Sequence, residues 1–214
     1  MRIGILGSGL IGSKLGTVFA RSGHEVVFSY SRQRTTLESL AREAGPNARA
    51  GTPHEAALAA DALLLAVHWS RIPDVLEQAG DLSGKVLITC CLPRDIDNTV
   101  LLIGHTSSGA EELAKRVPGT PVVSAFHTIP NQVLPGVFAR RNETPRPGLI
   151  LSGDDPEAKK LVARLIQDIG FDPIDAGPLS IARYTEPFAL LVARLAYGGT
   201  EGPDLAYRFE HFPG

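Results

Sequence analysis

The sequence predicts an α/β fold with a Rossmann-type, doubly wound, mostly parallel sheet and a small C-terminal α/β extension. Through the first two thirds of the chain, apolar runs of strand length alternate with segments of helical periodicity. The runs are apolar throughout, which is typical of strands buried on both faces of a parallel sheet that helices cover. At 214 residues, with 43% hydrophobic and 21% charged residues, the chain can form one globular domain with a modest extension.

The first half of the chain predicts a regular alternation of strands and helices. Residues 2–6 form an apolar strand, and 11–21 form a helix because Leu15, Val18 and Phe19 share one face. The next strands are predicted at 24–30, 48–50, 62–67 and 85–90, and the next helices at 35–44, 53–59, 72–78 and 108–116.

The second half contains a break in this alternation. A strand at 121–126 precedes the stretch 127–148, where closely spaced prolines and glycines predict a long irregular connection. Asp154 or Asp155 then caps a helix that begins at Pro156. The remaining predicted elements are strands at 149–152 and 171–175 and helices at 156–169 and 180–197. The end of the chain is expected to dock on the fold through its aromatic residues, Tyr207, Phe209 and Phe212.

Charge and composition argue against several classes of partner. Lys and Arg number 21 and Asp and Glu 23, so the formal charge of −2 gives no strong attraction for nucleic acid or an anionic membrane. No apolar run reaches the roughly 18 residues that cross a bilayer, and no signal-type cleavage region follows the N-terminus. Because Cys90 and Cys91 are adjacent in an apolar run, we expect buried thiols and a cytoplasmic protein.

The most informative stretch, residues 7–12, reads Gly-Ser-Gly-Leu-Ile-Gly and lies between the first strand and the first helix. In that context the G-x-G-x-x-G pattern predicts a Rossmann-type dinucleotide site. Gly7 permits the tight turn, Gly9 lets the backbone approach a pyrophosphate, and Gly12 allows close packing of helix and strand. Free N–H groups and the helix dipole then hold the anion. The predicted contacts are Gly7, Ser8, Gly9, Leu10, Ile11 and Gly12.

The end of the second predicted strand selects the phosphorylated dinucleotide. A site for NAD would place Asp or Glu about 20 residues after the glycines, to bind the ribose 2′-hydroxyl. Residues 26–37 contain no acid, whereas Ser31 and Arg32 can hydrogen-bond a 2′-phosphate. We therefore expect NADP(H), bound by a Rossmann domain over residues 1–135, with residues 136–214 completing the substrate cleft.

Ligands of open parallel sheets bind at the carboxyl ends of the strands. His68 and Trp69 follow the strand at 62–67 and are expected to line the nicotinamide pocket; the alternative for Trp69 is simple packing at the strand edge. His127 follows the strand at 121–126, with a hydrogen-bonded structural histidine as the alternative. The sequence shows no nucleophile–base pair and no metal-binding spacing among its histidines. Direct hydride transfer, which needs orientation more than proton transfer by the protein, fits these residues.

Several segments together resemble the NADP oxidoreductase family that depends on the deazaflavin coenzyme F-420. Besides the N-terminal glycines and Arg32, the likeness is carried by residues 92–93, 106–108, 122–130, 152–155 and 175–180. The more specific of these are the His-Thr-Ile-Pro stretch at 127–130 and the Asp-Ala-Gly-Pro-Leu stretch at 175–179.

The resemblance implies reversible hydride transfer between NADP(H) and the deazaflavin, directly from ring to ring in a cleft. Carried over by position, the stretch Ser8–Ile11 would hold the pyrophosphate, and Ser31 with Arg32 the 2′-phosphate. Ile129 would lie at the nicotinamide and line the hydride-transfer cleft together with His127. The residues on the deazaflavin side would be Thr128, Pro130 and Leu179.

Two other functions stay open. A reductase with the same scaffold would use NADPH on another acceptor, such as a flavin, an imine or a ferric chelate. A protein that only senses NADP(H) would bind the dinucleotide without catalysis. In each case the expected partners are small molecules, with no metal ion, nucleic acid or membrane, and the apolar segment 188–197 allows a homodimer.

Overall fold

An eight-stranded sheet forms the centre of the computed structural model, which describes residues 1–212. The strands are β1 (Arg2–Leu6), β2 (Glu25–Ser29), β3 (Ala48–Ala50), β4 (Ala62–Leu65), β5 (Val86–Thr89), β6 (Val122–Ala125), β7 (Gly148–Gly153) and β8 (Asp172–Asp175). Their order is β3-β2-β1-β4-β5-β6-β7-β8, and neighbours are parallel except β6 and β7. The first six strands have the order of a Rossmann sheet, so the predicted fold class is confirmed.

Helices cover both faces of the sheet. They are α1 (Leu10–Arg21), α2 (Arg34–Ala44), α3 (Pro53–Leu58), α4 (Ile72–Ala79), α5 (Gly109–Arg116), α6 (Val133–Ala139), α7 (Pro156–Asp168) and α8 (Ala182–Gly198). Side chains of α1, α2, α6 and α7 join one buried cluster, and those of α3, α4, α5 and the start of α8 join the other. In β4, Leu64 belongs to the first cluster and Leu63 and Leu65 to the second. This alternation explains why the strands read as unbroken apolar runs.

Helix starts follow the local capping signals. Thr52 and Glu55 form a capping box at α3. Asp155 caps α7, because its carboxylate accepts a hydrogen bond of 2.8 Å from the Ala158 N–H. Asp154 instead accepts from the Leu179 N–H, also at 2.8 Å. Asp155, and not Asp154, is therefore the cap of α7.

The predicted irregular connection over 127–148 is wrong in one part, because it contains helix α6 (Val133–Ala139). Pro135 lies in the first turn of this helix, where a backbone N–H has no intrahelical acceptor and its absence costs little. Val133, Leu134 and Val137 are buried against the first core cluster. Tertiary burial therefore stabilises a helix that its own composition disfavours.

The sheet continues without a break from β6 into β7. Residues 135 and 136, at the domain boundary that we predict, both lie inside α6, so the division into two domains remains a prediction. Because Ala125 of β6 pairs with Leu151 of antiparallel β7, the start of β7 reaches beyond the carboxyl end of β6. No helix within residues 1–212 has both the length and the apolar character that crossing a membrane requires.

Candidate active site

Two adjoining cavities at the carboxyl ends of the central strands form one cleft. The arginine cavity has a volume of about 690 Å³, and its outer part is lined by Ser31, Arg32, Arg34 and Arg71. The apolar cavity has a volume of about 430 Å³ and contains Ile129. The two cavities share four residues, Gly9, Ala66, Val67 and His68. An elongated molecule can therefore extend from one cavity into the other across the glycine turn.

The three glycines of the turn have different roles. Gly7 has a φ of +112°, and a Cβ there would lie 2.4 Å from the Ala66 carbonyl oxygen. A Cβ on Gly12 would lie 1.9 Å from the Gly7 carbonyl oxygen, so the approach of helix α1 to the turn requires glycine. A Cβ on Gly9 would meet no atom within 4 Å. Gly7 and Gly12 are needed by the fold, whereas Gly9 leaves space for a ligand.

The start of α1 keeps its hydrogen-bond donors available. Gly9 is the N-cap, no side chain caps the helix, and the first turn carries no acid. Ser8 does not take the capping role, because its hydroxyl donates to the Ser29 carbonyl at 2.9 Å. The first N–H groups of an α-helix lack intrahelical partners and carry partial positive charge. This turn therefore suits a pyrophosphate group.

The lining of the arginine cavity contains no Asp or Glu. The Arg34 guanidinium pairs with Glu38 at 3.2 Å, whereas Arg32 and Arg71 have no side-chain hydrogen bond or ion pair within residues 1–212. Tyr30 adopts a φ of +58° where β2 ends, and its hydroxyl donates to Asp74. Burial and this hydrogen bond raise the pKa of Tyr30 to about 12, so the phenol stays protonated. Two uncommitted guanidinium groups thus face a cavity without negative charge.

Apolar side chains from several elements enclose the other cavity. Phe126 has a φ of +67° directly after β6, which turns the chain toward Ile129. Ile129 is 6% exposed and packs on the first core cluster. Helix α8 supplies one wall, with Ala189, Val192, Ala193 and Tyr197. The cavity is large enough for a flat ring and offers it mainly apolar contacts.

His68 is fixed at the junction of the two cavities. Its Nδ1 lies 3.3 Å from the Ser70 N–H nitrogen and 2.9 Å from the Ser70 hydroxyl, and its Nε2 lies 3.1 Å from the Asp95 carbonyl oxygen. An uncharged imidazole ring that accepts at Nδ1 and donates at Nε2 makes these contacts with both of its nitrogens. The ring therefore joins the short helical turn at 69–71 to the loop after β5.

His127 is held neutral inside the protein. Its Nε2 shares a hydrogen bond of 3.1 Å with the Thr185 hydroxyl. Burial lowers the pKa of His127 to about 4. At neutral pH the imidazole is uncharged, so its place in the apolar cavity adds no charge.

The structure brings most of the predicted site residues together. Gly7, Ser8, Ser31 and Arg32 line the arginine cavity, Leu10, Ile11, His127, Ile129 and Pro130 line the apolar cavity, and Gly9 and His68 line both. Four predicted residues lie outside both linings, namely Gly12, Trp69, Thr128 and Leu179. The Trp69 ring lies beneath the Arg116 guanidinium, whose central carbon is 5.4 Å from the ring centroid. Leu179 is buried in the second core cluster.

Thr128 is fully buried, and its hydroxyl contacts the C-terminal tail rather than a cavity. The Tyr207 hydroxyl lies 2.7 Å from Thr128 Oγ1 and also accepts from the Ile150 N–H at 3.4 Å. The Tyr207 carbonyl accepts from the Gly148 N–H at 2.7 Å, and the ring packs edge-on against Phe188. The predicted docking of the tail is therefore confirmed for Tyr207, which holds Thr128, the residue next to Ile129. It is wrong for Phe209 and Phe212, which are 62% and 88% exposed.

Tyr207→Phe is expected to lower the free energy of unfolding by about 1–2 kcal/mol, since the buried Thr128 hydroxyl loses its partner. For a chain of this size that corresponds to a fall in Tm of roughly 2–8 °C. Thermal or urea unfolding measures the change. Tyr184→Phe is the matched control, because the side chain of Tyr184 is 69% exposed. Equal stability of the wild type and Tyr207→Phe would contradict this role.

A buried carboxylate attaches the α8 wall to helix α5. Glu186 is 2% exposed and accepts hydrogen bonds from the N–H groups of Gly109 (2.9 Å) and Ala110 (3.0 Å). Beside it, the Arg183 guanidinium binds Glu111 through two hydrogen bonds of 2.6 and 2.9 Å. Burial raises the pKa of Glu186 to about 7, although the two N–H groups oppose this shift.

The raised pKa predicts a pH-dependent difference between the wild type and Glu186→Gln. The folded chain holds the proton more tightly than the unfolded chain, where a glutamate has its ordinary pKa of 4.5, so this group favours folding most below pH 4.5. That contribution is lost as the pH rises through about 7. The free energy of unfolding of the wild type, relative to Glu186→Gln, should fall by about 3 kcal/mol across this range. Urea unfolding at several pH values measures it, with exposed Glu77→Gln as the control; a pH-independent difference would refute it.

Sequence reasoning missed several residues that line the cleft. Arg71 enters the arginine cavity from the turn after β4, and Tyr197 enters the apolar cavity from the far end of the chain. Asn131 and Asn98 also line the apolar cavity. No local spacing signals these positions, because distant elements bring them together. Arg94 also lines the apolar cavity, and it follows β5 at the edge of the sheet where open parallel sheets bind their ligands.

Comparisons with known proteins agree with this geometry. Residues 2–93 match the family model described as NADP oxidoreductase, coenzyme F420-dependent. A crystal structure from Arthrobacter sp. FB24, provisionally described as an F420-dependent NADP-reductase, superposes with a TM-score of 0.86 at 25% identity, covering 99% of this chain and 100% of that one. A hypothetical protein from Sinorhizobium meliloti gives a TM-score of 0.75 at 30% identity, covering 85% of this chain and 88% of the other.

A curated relative is a longer protein. Metalloreductase STEAP3 of Rattus norvegicus is 30% identical over 195 residues, which is 88% of this chain and 36% of the rat protein. The chain thus spans little more than a third of the length of that relative. The family match covers the glycine turn and the arginine strand end, and the structural likeness extends over both cavities. Residues 2–93 thus match the family of coenzyme F420-dependent NADP oxidoreductases, and the chain has the fold of a structure provisionally described as an F420-dependent NADP-reductase.

Proposed function

We propose that the chain catalyses hydride transfer between NADP(H) and a small second redox substrate. The observation that carries the proposal is one cleft that combines an arginine cavity without carboxylates, an uncapped helix start at Gly9 and an apolar cavity at Ile129. These features fit the 2′-phosphate, the pyrophosphate and the nicotinamide of NADP(H), in that order along the cleft.

Each part of the cleft has a binding role in this proposal. Ser31, Arg32 and Arg71 hold the 2′-phosphate, and the backbone from Gly7 to Ile11 holds the pyrophosphate. The nicotinamide lies between His68 at the cavity junction and Ile129. Trp69 lies outside both linings and has no contact role here, and Gly12 acts through the packing of α1.

Catalysis in this cleft rests on orientation and the exclusion of water. The bound dinucleotide supplies the hydride with its two electrons. Phe126, Ile129 and Val192 form an apolar surround that holds the reacting rings together and dry. His127 is uncharged at neutral pH and the lining of the apolar cavity contains no carboxylate, so neither kind of group supplies a charged proton donor there.

We favour the deazaflavin F-420 as the second substrate. Its support is the family match over residues 2–93 and the similarity to a structure described as an F420-dependent NADP-reductase. The residues proposed on its side of the cleft are Thr128, Pro130 and Leu179. Pro130 lines the apolar cavity, whereas Thr128 and Leu179 act from behind it, as buried supports.

A ferric chelate is the second candidate acceptor. It is favoured by the 30% identity to Metalloreductase STEAP3, which extends over 88% of this chain. A ferric chelate would be a substrate rather than a bound cofactor: two chelates would each take one electron per NADPH, with NADP⁺ and one proton as the other products. Within residues 1–212, no three His, Cys, Asp or Glu side chains cluster in a way that could hold a metal ion.

The remaining expectations also belong to this proposal. Residues 136–214 complete the cleft, supported by the four α8 residues that line the apolar cavity. A homodimer is supported by exposed apolar residues on α8, namely Tyr184, Leu191 and Leu195. A cytoplasmic location is supported by the free thiols of Cys90 and Cys91. Light scattering measures the oligomeric state.

The test is NADPH consumption by the purified chain with each of four acceptors: F-420, FMN, a cyclic imine and ferric citrate. We expect the largest kcat/KM with F-420, read from the loss of NADPH and deazaflavin absorbance. A larger value with ferric citrate would favour the second candidate. Tight NADPH binding without turnover of any acceptor would overturn catalysis and leave a dinucleotide sensor.

A further inference from the structure

The apolar cavity contains one permanently charged side chain among the residues that line it, the guanidinium of Arg94. Its neighbours in the lining are mainly hydrophobic, and none is Asp or Glu. Arg94 is half-buried, and burial lowers its pKa from the usual value, although guanidinium groups remain protonated at neutral pH. A positive charge in such surroundings is stabilised by a negatively charged group, and the lining of the cavity contains none.

The backbone around Arg94 is held in place on both sides. The Arg94 N–H donates to the Leu92 carbonyl at 2.8 Å, and the Leu102 N–H donates to the Pro93 carbonyl at 2.7 Å. Arg94 also forms an isolated antiparallel bridge with Leu101. On the next residue, the Asp95 carbonyl accepts from His68 Nε2 at 3.1 Å. The loop therefore holds Arg94 at the cavity rather than leaving it on a free surface segment.

The acid beside Arg94 is committed elsewhere. The Asp95 carboxylate accepts three hydrogen bonds, from the N–H groups of Thr99 (2.7 Å) and Val100 (3.1 Å) and from the Thr99 hydroxyl (2.9 Å). The Arg94 guanidinium forms no ion pair within residues 1–212, and its one hydrogen bond there is a long contact of 3.5 Å from Nη1 to the Asn98 carbonyl. Because a half-buried charge without a partner is costly, this guanidinium is available for a ligand.

We propose that Arg94 binds a negatively charged oxygen of the second substrate in the apolar cavity. This inference rests on the proposed function and narrows the class of acceptor. Conjugated rings with an ionised oxygen and ferric chelates with carboxylates have such an oxygen, whereas a simple cyclic imine has none. Arg94 is thus a specificity-determining residue for the acceptor and not for the dinucleotide.

The same guanidinium suits the charge change of the reaction. When the acceptor is a conjugated ring, a hydride brings it one proton and two electrons, so the ring gains one negative charge and the nicotinamide ring gains the matching positive charge. A proton from water later neutralises the acceptor. A fixed cation in an apolar, water-poor cavity stabilises the charge that develops on the acceptor.

Arg94→Met tests the assignment by binding as well as by turnover. Equilibrium dialysis of the chain with F-420 and with ferric citrate should show affinity lower by about 10- to 150-fold than for the wild type, the factor for one charge-assisted hydrogen bond. The Kd for NADPH, read from nicotinamide fluorescence, should stay unchanged. Arg94→Lys, which keeps the charge, should recover part of the loss. Arg42→Met, on the exposed face of α2, is the control for loss of an arginine.

The outcomes separate this inference from the proposed function. Failure of the wild type to bind NADPH would overturn the proposed function. Wild-type binding of NADPH but of neither anionic probe would overturn the assignment of Arg94. Unchanged binding of both probes by Arg94→Met, with a Tm that shows it folded, would overturn it as well. If Arg94→Met unfolds, Arg94→Lys provides the test. A loss of affinity for the anionic probes, with unchanged affinity for the cyclic imine, supports the assignment. Affinities for the anionic probes and for the imine that both equal those of the wild type refute it.

Discussion

Gly9→Val is expected to abolish binding of both NADPH and NADH without unfolding the protein. Gly9 lies where the two cavities meet, and a Cβ there points into space that holds no protein atom within 4 Å. A valine side chain would fill the space of the pyrophosphate and block its hydrogen bonds to the start of α1. Loss of two charge-assisted hydrogen bonds at about 1.5–3 kcal/mol each raises the Kd by roughly 10²- to 10⁴-fold.

The backbone conformation of Gly9 explains why we expect the Gly9→Val variant to fold. Gly9 has φ −76° and ψ −162°, an extended conformation that valine adopts readily. We expect a Tm within about 2 °C of the wild type, as for other substitutions that touch nothing. Gly104→Val is the control, since a Cβ at Gly104 also meets no atom within 4 Å and lies outside both cavities. An unchanged Kd for both dinucleotides would refute the placement of the pyrophosphate at this turn.

The glycine turn was predictable because its signals are local. A strand, a glycine turn and a helix follow one another within 21 residues, and each glycine has a steric reason that the sequence context already supplies. The same holds for the strand end at Ser31 and Arg32, where the absence of acids is visible in the sequence. Apolar runs predicted the central strands for the same reason, since burial on both faces leaves a simple pattern, whereas the edge strands β3 and β8 are polar in part and partly exposed.

The parts that the sequence did not predict depend on distant contacts. Helix α6 contains Pro135 and Gly136, which locally disfavour a helix, and forms because it is buried against the first core cluster. Arg71 joins Arg32 only through the placement of β4 beside β1. No short-range pattern carries such information.

Thr128 shows the limit of carrying a role over by position. The resemblance places it near the second substrate, and its neighbours Ile129 and Pro130 do line the apolar cavity. Its own hydroxyl faces Tyr207, which lies 79 residues further along the chain. Residues 127 and 128 lie in a turn after β6, where the chain changes direction, so adjacent residues of one motif can have different surroundings. The contribution of Thr128 to the cleft is therefore expected to pass through the position of Ile129.

Arg32→Ala is expected to weaken NADPH binding by about 10- to 150-fold and to change NADH binding by less than about twofold. The two dinucleotides differ only in the 2′-phosphate, and a charge-assisted hydrogen bond to that group is worth about 1.5–3 kcal/mol. Arg32 is exposed and has no ion pair within residues 1–212, so its removal leaves no partner unsatisfied. The ratio of the two Kd values, measured by nicotinamide fluorescence, isolates the phosphate contact from any effect on folding.

Two further variants make this prediction sharper. Arg71→Ala should shift the same ratio in the same direction, because Arg71 lines the same cavity and is also unpaired in the described chain. Arg42→Ala should leave the ratio unchanged, since Arg42 is exposed on α2 outside the cavity. Rising salt should weaken NADPH binding more than NADH binding in the wild type and less so in Arg32→Ala. Equal losses of NADPH and NADH affinity in Arg32→Ala would show that this residue acts through the fold, and the choice of NADP(H) over NAD would lose its physical basis.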